Sequence, residues 1–265
     1  MNAVARAPMP AAVRGAAWML LAGTGYAVTG AIVRHLAVTL PVFELAFLRA
    51  ALTLALFLPY IVRAGRAGLA TRQFRVHALR SVLTYGGIVF WFFGVSAIPL
   101  GDYYALYFTM PLFTIAGAAI ALRERVPTPI WLAVAVGFAG ALIIIRPGLI
   151  EVSFGAVCAL ASAVTYAASN VVTRVLSRRD SAAVIVIYSN FLVLLIGAIP
   201  AALVWRMPTG EDAPFVIALG VASTVAQYCY TRAIAAADAR VVQPFDFCRL
   251  PIAAVLGLVL FAESS

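Results

Sequence analysis

Long apolar runs alternate with short polar breaks along almost the whole chain. A helix needs about 20 mostly apolar residues to cross a bilayer, and nine stretches of this kind lie at roughly 15–34, 41–62, 79–99, 102–122, 127–146, 153–174, 181–205, 213–234 and 241–262. Pro41, Pro127 and Pro129 stand where helices can begin, and Pro147-Gly148 stands where one ends. The pattern predicts an all-α polytopic membrane protein whose short loops make neighbouring spans antiparallel.

Composition excludes the main alternatives to a membrane protein. Of the 265 residues, 64% are hydrophobic and only 11% are charged, whereas a soluble domain is about half apolar and a quarter charged. A soluble fold of this length leaves much of its chain exposed and has no place for so much apolar surface. Disordered chains are poor in apolar residues, so the composition excludes disorder as well.

The arginines fix the expected orientation. All 19 basic residues are Arg, and the net charge is +9. With a cytoplasmic N-terminus, 14 of them fall on the inner side, three (Arg34, Arg146 and Arg206) fall outside, and two (Arg49 and Arg249) lie within spans. Such a bias is what the positive-inside rule requires. The charge therefore predicts a multi-pass protein of the inner membrane, and no nucleic acid is needed to explain it.

The sequence contains a weak internal repeat. Residues 17–37 align with 157–177 at an offset of 140, and residues 105–124 align with 244–263 at an offset of 139. The alignment places Tyr26 over Tyr166 and Arg34 over Arg174. A repeat unit of five spans has an odd count, so the second copy must enter the membrane inverted. Inverted repeats are typical of secondary transporters, whose substrate site lies near the midplane between the halves.

Three segments resemble the drug/metabolite transporter superfamily, and specifically its EamA-type members. They are 44–49 in the second span, Pro111 with the apolar run into Arg123-Glu124, and 243–249 with the run to Glu263. The last segment is most similar to the branch that carries S-adenosylmethionine and riboflavin-like metabolites. The resemblance implies two five-helix repeats, which we place at 1–147 and 148–265. That plan has ten helices, so we expect the chain to be a truncated form lacking the tenth, with a nine-span protein as the alternative.

Ionisable residues within the spans are the first candidates for a substrate site, because each is costly in a bilayer. Glu44 and Arg49 lie in the second span, and Asp246 and Arg249 in the ninth. Asp246 and Arg249 are three residues apart and share a helix face, so they suit either a structural pair or a substrate contact. Glu44 suits either a structural position in the first turn of its helix, where the helix dipole favours a carboxylate, or a substrate contact. Proton coupling through Glu44 or Asp246 is left open by the sequence.

Prolines in the fourth and ninth spans predict interrupted helices beside the site. Pro111, Pro244 and Pro251 break the backbone hydrogen-bond ladder, which is tolerated where protein or a watery cavity satisfies the freed groups. We expect the substrate-binding set to include Tyr85, Tyr107, Tyr166, Asn170, Gln227 and Gln243 together with the four ionisable residues. Further residues that face the expected cavity are Tyr26, Trp91, Tyr103, Tyr188, Asn190 and Tyr228. Such a lining suits a flat, polar, heterocyclic or amino-acid-like solute.

Small residues form stripes on two spans, Ala133, Gly137 and Ala141 on the fifth and Gly155, Ala159, Ala163 and Ala167 on the sixth. These stripes suit packing inside the bundle or the seam of a homodimer. We expect a secondary active transporter that moves a small amino-acid-like, nucleoside-like or vitamin-like metabolite by alternating access, without a cofactor, metal or catalytic residue. The alternatives are a non-transporting partner or sensor subunit and an intramembrane enzyme. The sequence does not decide the substrate, direction or coupling ion.

Overall fold

A computed structural model of the chain describes residues 11–121, 132, 136, 153–236 and 242–261. The backbone in these ranges is helical almost throughout, and none of it forms a β-strand. The first half contains α1 (Ala11–Leu36), α2 (Val42–Leu69), α3 (Phe74–Ala97), α4 (Leu100–Tyr107) and α5 (Met110–Ala121). The second half contains α6 (Phe154–Leu176), α7 (Ala182–Val204), α8 (Ala213–Ala236), a 3₁₀ helix (Gln243–Cys248) and α9 (Arg249–Phe261).

Seven spans in the described ranges are long and apolar enough to cross a membrane, with α4 and α5 taken together as one span. They coincide with the first four and the sixth to eighth of the predicted stretches. A shorter apolar helix within α9 occupies the place of the ninth. The predicted fifth span, at 127–146, and the predicted boundary between residues 147 and 148 lie outside the described residues. The prediction of an all-α polytopic membrane protein is confirmed.

The fourth and ninth spans are both interrupted, but slightly earlier than their prolines suggest. The break in the fourth span is a turn at Phe108 and Thr109, and Pro111 lies in the first turn of α5. In the ninth span a 3₁₀ helix gives way to α9 at Arg249, and Pro251 lies in the first turn of α9. A proline is well tolerated there, because the first N–H groups of a helix have no partner within it. Pro111 and Pro251 therefore begin the second half of each broken span, whereas Pro244 lies in the 3₁₀ helix before the break.

Helices of the two halves pack against each other in reciprocal pairs. The most extensive contacts join α1 to α8 and α3 to α6, which in each case are the first helix of one half and the third of the other. Helix α2 packs on α7, the second helix of each half. Helix α1 contacts the 3₁₀ helix and α9, just as α6 contacts α4 and α5. Exchanging the halves leaves these principal contacts unchanged, as an approximate two-fold axis requires.

The axis runs through the contact between α2 and α7. Arg49 and Asn190 are 141 residues apart and hydrogen-bond to each other, with Arg49 Nη2 3.3 Å from Asn190 Oδ1. Pro59 and Pro200 are also 141 residues apart and lie inside the same two helices. This spacing agrees within two residues with the offset of the sequence repeat. Contacts between the halves therefore join positions that are separated by nearly the same offset as the sequence repeat.

The small-residue stripe of the sixth span packs inside the bundle. Ala159 and Ala163 of α6 are completely buried, and Ala167 is 2% exposed. A Cβ on Gly155 would lie 2.6 Å from Ile98 Cγ2 at the end of α3. The small residues of this stripe allow α3 and α6 to pack closely, so the stripe is buried inside the bundle. The alternative of a dimer seam is therefore wrong for the sixth span. The stripe of the fifth span lies outside the described residues.

We expect Ala163→Leu to destabilise the protein, because the larger side chain overpacks the contact between α3 and α6. Overpacking a core position costs about 1–3 kcal/mol, which lowers the Tm in detergent by several degrees. The matched control is Val164→Leu, at a neighbouring position that is 47% exposed and faces lipid. Thermal unfolding followed by tryptophan fluorescence measures both. Equal Tm values for the two variants would contradict this packing.

Candidate functional site

A buried ion pair stands where the 3₁₀ helix meets α9. Arg249 Nη2 lies 2.6 Å from Asp246 Oδ1, and neither side chain is more than 2% exposed. The guanidinium carbon of Arg249 lies 4.6 Å from the ring centre of Tyr26, 5.4 Å from that of Tyr107 and 5.9 Å from that of Tyr104. A cation over aromatic faces is stabilised by their quadrupoles. Arg249 is thus held by one carboxylate and three rings from α1 and α4.

Tyrosines of α4 connect this pair to α6. The rings of Tyr107 and Tyr166 meet edge to face with centroids 6.1 Å apart, and Tyr103 stacks on Tyr107 at 5.8 Å. The hydroxyl oxygen of Tyr103 lies 2.6 Å from Ser162 Oγ on α6. Edge-to-face and stacked ring pairs fix side-chain orientation as well as burying area. The aromatic groups therefore form a rigid wall between the halves.

These side chains line a small cavity of about 50 Å³. The first half contributes Tyr26, Arg80, Thr84, Trp91, Tyr107 and Met110. The second half contributes Tyr166, Ser169, Asn170, Gln227, Tyr230, Thr231 and Arg249. Both halves supply aromatic rings, hydroxyl groups and an arginine, so the cavity lies where an inverted-repeat transporter is expected to hold its solute.

Five of the predicted binding residues line this cavity: Tyr107, Tyr166, Asn170, Gln227 and Arg249. Two others reach it indirectly. Asp246 holds Arg249, and Arg49 donates to Asn190, whose Nδ2 lies 2.8 Å from Gln227 Oε1. A chain of hydrogen bonds thus runs from the two-fold axis to the cavity wall.

Two predicted binding residues do not reach the cavity. Glu44 is five positions before Arg49, so the helical period places it on another face of α2. There Glu44 Oε2 accepts a hydrogen bond of 2.8 Å from the backbone N–H of Arg206. Tyr85 follows the cavity residue Thr84 directly and is rotated by about 100° around α3. Its ring faces Gly197 of α7. The structure therefore does not bring Glu44 or Tyr85 into this set.

The side chains of Gln243 and Pro244 lie outside the described part of the chain, so their predicted roles remain predictions. Pro111 is buried beside Met110, next to the cavity. Pro251 is exposed on α9. The predicted broken helices therefore border the cavity through Tyr107, Met110 and Arg249 rather than through the prolines themselves.

The main cavity residue that the sequence did not identify is Arg80. Arg80 is one of the 14 arginines predicted to lie on the inner side, at the end of the basic loop 63–80. Its place in that loop is wrong, because α3 begins at Phe74 and buries Arg80 to 6% exposure. Arg80 Nε donates to Thr173 Oγ1 at 2.6 Å. The available signal was periodic, since Arg80, Thr84 and Trp91 recur on one face of a helix. Thr84, Ser169 and Thr231 belong to the same polar lining.

A polar cluster closes one end of the molecule between the halves, and we call it the Asp180 cluster. Asp180 Oδ2, in the turn between α6 and α7, accepts from Thr71 Oγ1 at 2.8 Å and lies 2.9 Å from His77 Nε2. The His77 ring stacks on Tyr188 of α7 at 4.8 Å, and the Tyr188 hydroxyl donates to Leu69 O at 3.0 Å. The cluster joins the α2–α3 connection of the first half to α7 of the second.

A second polar cluster, the Asp212 cluster, closes the opposite end. Asp212 Oδ1, just before α8, accepts from Thr39 Oγ1 at 2.9 Å, and Asp212 Oδ2 accepts from Thr209 Oγ1 at 2.7 Å. The His35 ring lies 4.3 Å from that of Phe215. Hydrogen bonds from the hydroxyl and backbone N–H of Thr209, and from Thr39, hold the pKa of Asp212 below its ordinary value. These contacts therefore act at neutral pH and are lost as the pH falls through that lowered pKa.

The two clusters are equivalent under the repeat. Thr39 and Asp180 are 141 residues apart, and Thr71 and Asp212 are also 141 residues apart, which is the spacing of Arg49 and Asn190. The bond from Thr71 to Asp180 and the bond from Thr39 to Asp212 are therefore the same contact with donor and acceptor exchanged between the halves. The same type of contact therefore joins the two halves at both ends of α2.

Comparison with known proteins gives four findings. The sequence profile of the EamA-like transporter family matches residues 13–146. A riboflavin transporter of Rhizobium johnstonii is 35% identical over 98% of this chain and 88% of its own length. An S-adenosylmethionine uptake transporter of Rickettsia bellii is 25% identical over 94% of this chain and 86% of its own length. A crystal structure at 19% identity covers 96% of this chain and 89% of that one with a TM-score of 0.69, which concerns the fold alone.

Proposed function

The chain belongs to the EamA-like transporter family, and on this premise we propose that it carries riboflavin or a close flavin relative across the inner membrane by alternating access. Its family and its named relatives are transporters of small metabolites rather than enzymes. The specific solute, the mechanism and a cytoplasmic N-terminus are the proposed part.

The observation that carries the proposal is the lining of the cavity between the halves. Tyrosine and tryptophan rings supply flat apolar contact, and threonine, serine, asparagine and glutamine side chains supply a few hydrogen bonds. This combination suits a planar ring system with polar edges. The 35% identity to a riboflavin transporter over nearly the whole chain supports a flavin ahead of other planar metabolites.

The size of the cavity supports a transport cycle with an occluded state. Sites for metabolites of drug size measure about 300–1,000 Å³, whereas this cavity measures about 50 Å³. A flavin therefore enters only after the halves separate at one end. The described conformation, with the Asp180 and Asp212 clusters both formed, corresponds to a closed state between the inward- and outward-open ones.

The Asp180 and Asp212 clusters control which end of the protein is open in the proposed cycle. Breaking the Asp180 cluster frees the α2–α3 connection from α7, and breaking the Asp212 cluster frees the α1–α2 connection from α8. Because the two bonds are related by the repeat, a rocking motion about the axis at Arg49 and Asn190 opens one end while the other stays closed. By the distribution of arginines, the Asp180 cluster lies at the cytoplasmic end.

Binding tests the proposed solute. We expect purified protein in lipid nanodiscs to quench the fluorescence of riboflavin in a saturable manner, since an isoalloxazine ring stacked near tyrosine and tryptophan loses emission. Unlabelled S-adenosylmethionine and amino acids serve as competitors. Quenching that neither saturates nor exceeds that of empty nanodiscs would contradict a flavin site.

Asp180→Asn and Asp212→Asn are expected to have opposite effects on access to the cavity. Each substitution weakens one cluster, so Asp212→Asn shifts the population toward outward-open states and Asp180→Asn toward inward-open states. The measurement is the rate at which a membrane-impermeant thiol reagent labels Ser169→Cys from outside, with Cys158, Cys229 and Cys248 replaced by alanine. We expect a several-fold increase with Asp212→Asn and a decrease with Asp180→Asn.

Two other outcomes of this labelling experiment are informative. Changes in the same direction would contradict the paired clusters. An exchange of the two effects would preserve the clusters and show that the predicted orientation of the chain is wrong.

A further inference from the structure

Three buried arginines with unused hydrogen-bond donors lie in or near the cavity wall. Arg80 Nη1, Arg249 Nε and Arg49 Nε are buried and have no hydrogen-bond partner in the described part of the protein. Their side chains are 6%, 2% and 5% exposed. Buried polar groups in native proteins are nearly always paired. Arg80 and Arg249 line the cavity directly, so a bound solute is within reach of their free donors.

The charge of this region is unbalanced among the described residues. Arg249, Arg49, Arg80 and Asp246 all lie within electrostatic range of Tyr26, which gives three cations for one carboxylate. Asp246 is already engaged by Arg249. The charges of the described residues therefore make the field at Tyr26 positive, which disfavours a cationic solute and favours a group rich in electron pairs.

The two cavity arginines come from different halves of the chain. Arg80 is on α3 of the first half, and Arg249 begins α9 of the second. Arg80 Nε is held by Thr173, and Arg249 Nη2 is held by Asp246, so each guanidinium is oriented while part of its planar fork stays free. A planar fork matches oxygen acceptors that lie in the plane of a ring.

We infer that the cavity recognises the solute by a planar edge carrying two carbonyl oxygens, as in a pyrimidinedione ring, with Arg80 and Arg249 as the donors. The inference rests on the proposed flavin transport. It states that the protein recognises the dione edge of the flavin, and not its ribityl chain or its dimethylbenzene edge. Asp246 and Thr173 act as positioning residues for the two guanidinium groups. The surrounding tyrosines contact the ring system but do not distinguish its ends.

Competition with three probes tests the inference on the unmodified protein. Lumichrome keeps the dione edge and lacks the ribityl chain, whereas 6,7-dimethylquinoxaline keeps the dimethylbenzene edge and lacks the dione. S-adenosylmethionine supplies a cationic competitor. We expect lumichrome to displace riboflavin in nanodiscs within about tenfold of riboflavin itself, and we expect neither of the other probes to displace it at a hundredfold higher concentration.

Arg80→Lys tests the planar fork, because it keeps the charge and removes the fork. We expect it to weaken riboflavin and lumichrome binding by about 10- to 100-fold, the range for a hydrogen bond to a charged group. The matched control is Arg232→Lys. Arg232 is exposed and lies over the ring of Trp18 outside the cavity, so its substitution leaves binding unchanged.

The outcomes separate this inference from the proposed function. Riboflavin binding with equal competition by lumichrome and dimethylquinoxaline, or with no effect of Arg80→Lys, would overturn the dione site and leave flavin transport standing. No riboflavin binding to a stable protein would overturn the proposed substrate itself. Displacement of riboflavin by S-adenosylmethionine at comparable concentration would contradict the positive field. Because the competition experiment uses unmodified protein, misfolding of a variant does not prevent a decision.

Discussion

Arg249→Ala is expected to reduce riboflavin transport by at least about tenfold, and by up to about 100-fold. Its guanidinium lies over three tyrosine rings, lines the cavity and is paired with Asp246. A hydrogen bond to a charged group contributes about 1.5–3 kcal/mol, which corresponds to that range of rates and affinities. Uptake of radiolabelled riboflavin into proteoliposomes is the measurement.

The single variant also leaves Asp246 buried without its partner, which costs about 3–5 kcal/mol of stability. The double variant Arg249→Ala/Asp246→Ala removes both charges and recovers much of the Tm, yet we expect it to stay defective in transport. Arg232→Ala is the matched surface control. Wild-type uptake by a stable double variant would contradict a role for this pair in handling the solute.

Crosslinking either end of the protein is expected to stop transport completely. The pairs are Thr39→Cys/Asp212→Cys and Thr71→Cys/Asp180→Cys, whose side chains are in hydrogen-bond contact in the native protein. A short bis-methanethiosulfonate reagent joins each pair in a background without native cysteines. Alternating access needs each end to open in turn, so fixing one end closed blocks the whole cycle. Riboflavin uptake before and after crosslinking is the measurement.

Each crosslinked pair has its own controls. The reagent should leave each of the four single-cysteine variants at its own uptake before treatment, and dithiothreitol should return each double variant to its uptake before crosslinking. Uptake that continues with the Asp180 end fully crosslinked, or with the Asp212 end fully crosslinked, would contradict alternation between these two clusters.

Much of the fold follows from the sequence because the bilayer imposes a length and a polarity on each span. Hydrophobic run lengths locate the described spans, and the repeat offset of 139–140 residues agrees with the spacing of 141 between Arg49 and Asn190 in the structure. The end of α2 is less predictable. The backbone kinks at Gly65, whose φ is positive, and a further helical segment runs to Leu69. Polar and apolar residues mix at a membrane interface, so the length of the apolar run no longer decides where a helix ends.

The site is harder to predict than the fold, because a run of apolar residues does not say which way a side chain faces. Arg80 was counted with the loop arginines, although the start of α3 places it two turns from the helix end, inside the bundle. Glu44 and Tyr85 have side chains of the expected chemistry, but their positions around α2 and α3 turn them away from the cavity. Asp180 and Asp212 carry no motif, and only the contacts across the two halves show that they are equivalent.

The proposal that a flavin crosses through the cavity between two alternating halves is tested most directly by counterflow. Proteoliposomes loaded with unlabelled riboflavin are diluted into a trace of labelled riboflavin, and internal label is followed with time. This measurement needs no knowledge of the coupling ion. We predict a transient accumulation of label above equilibrium with the unmodified protein, and its absence in the Arg249→Ala/Asp246→Ala variant and after crosslinking either cluster. Equilibration without any overshoot by folded, unmodified protein would contradict the account.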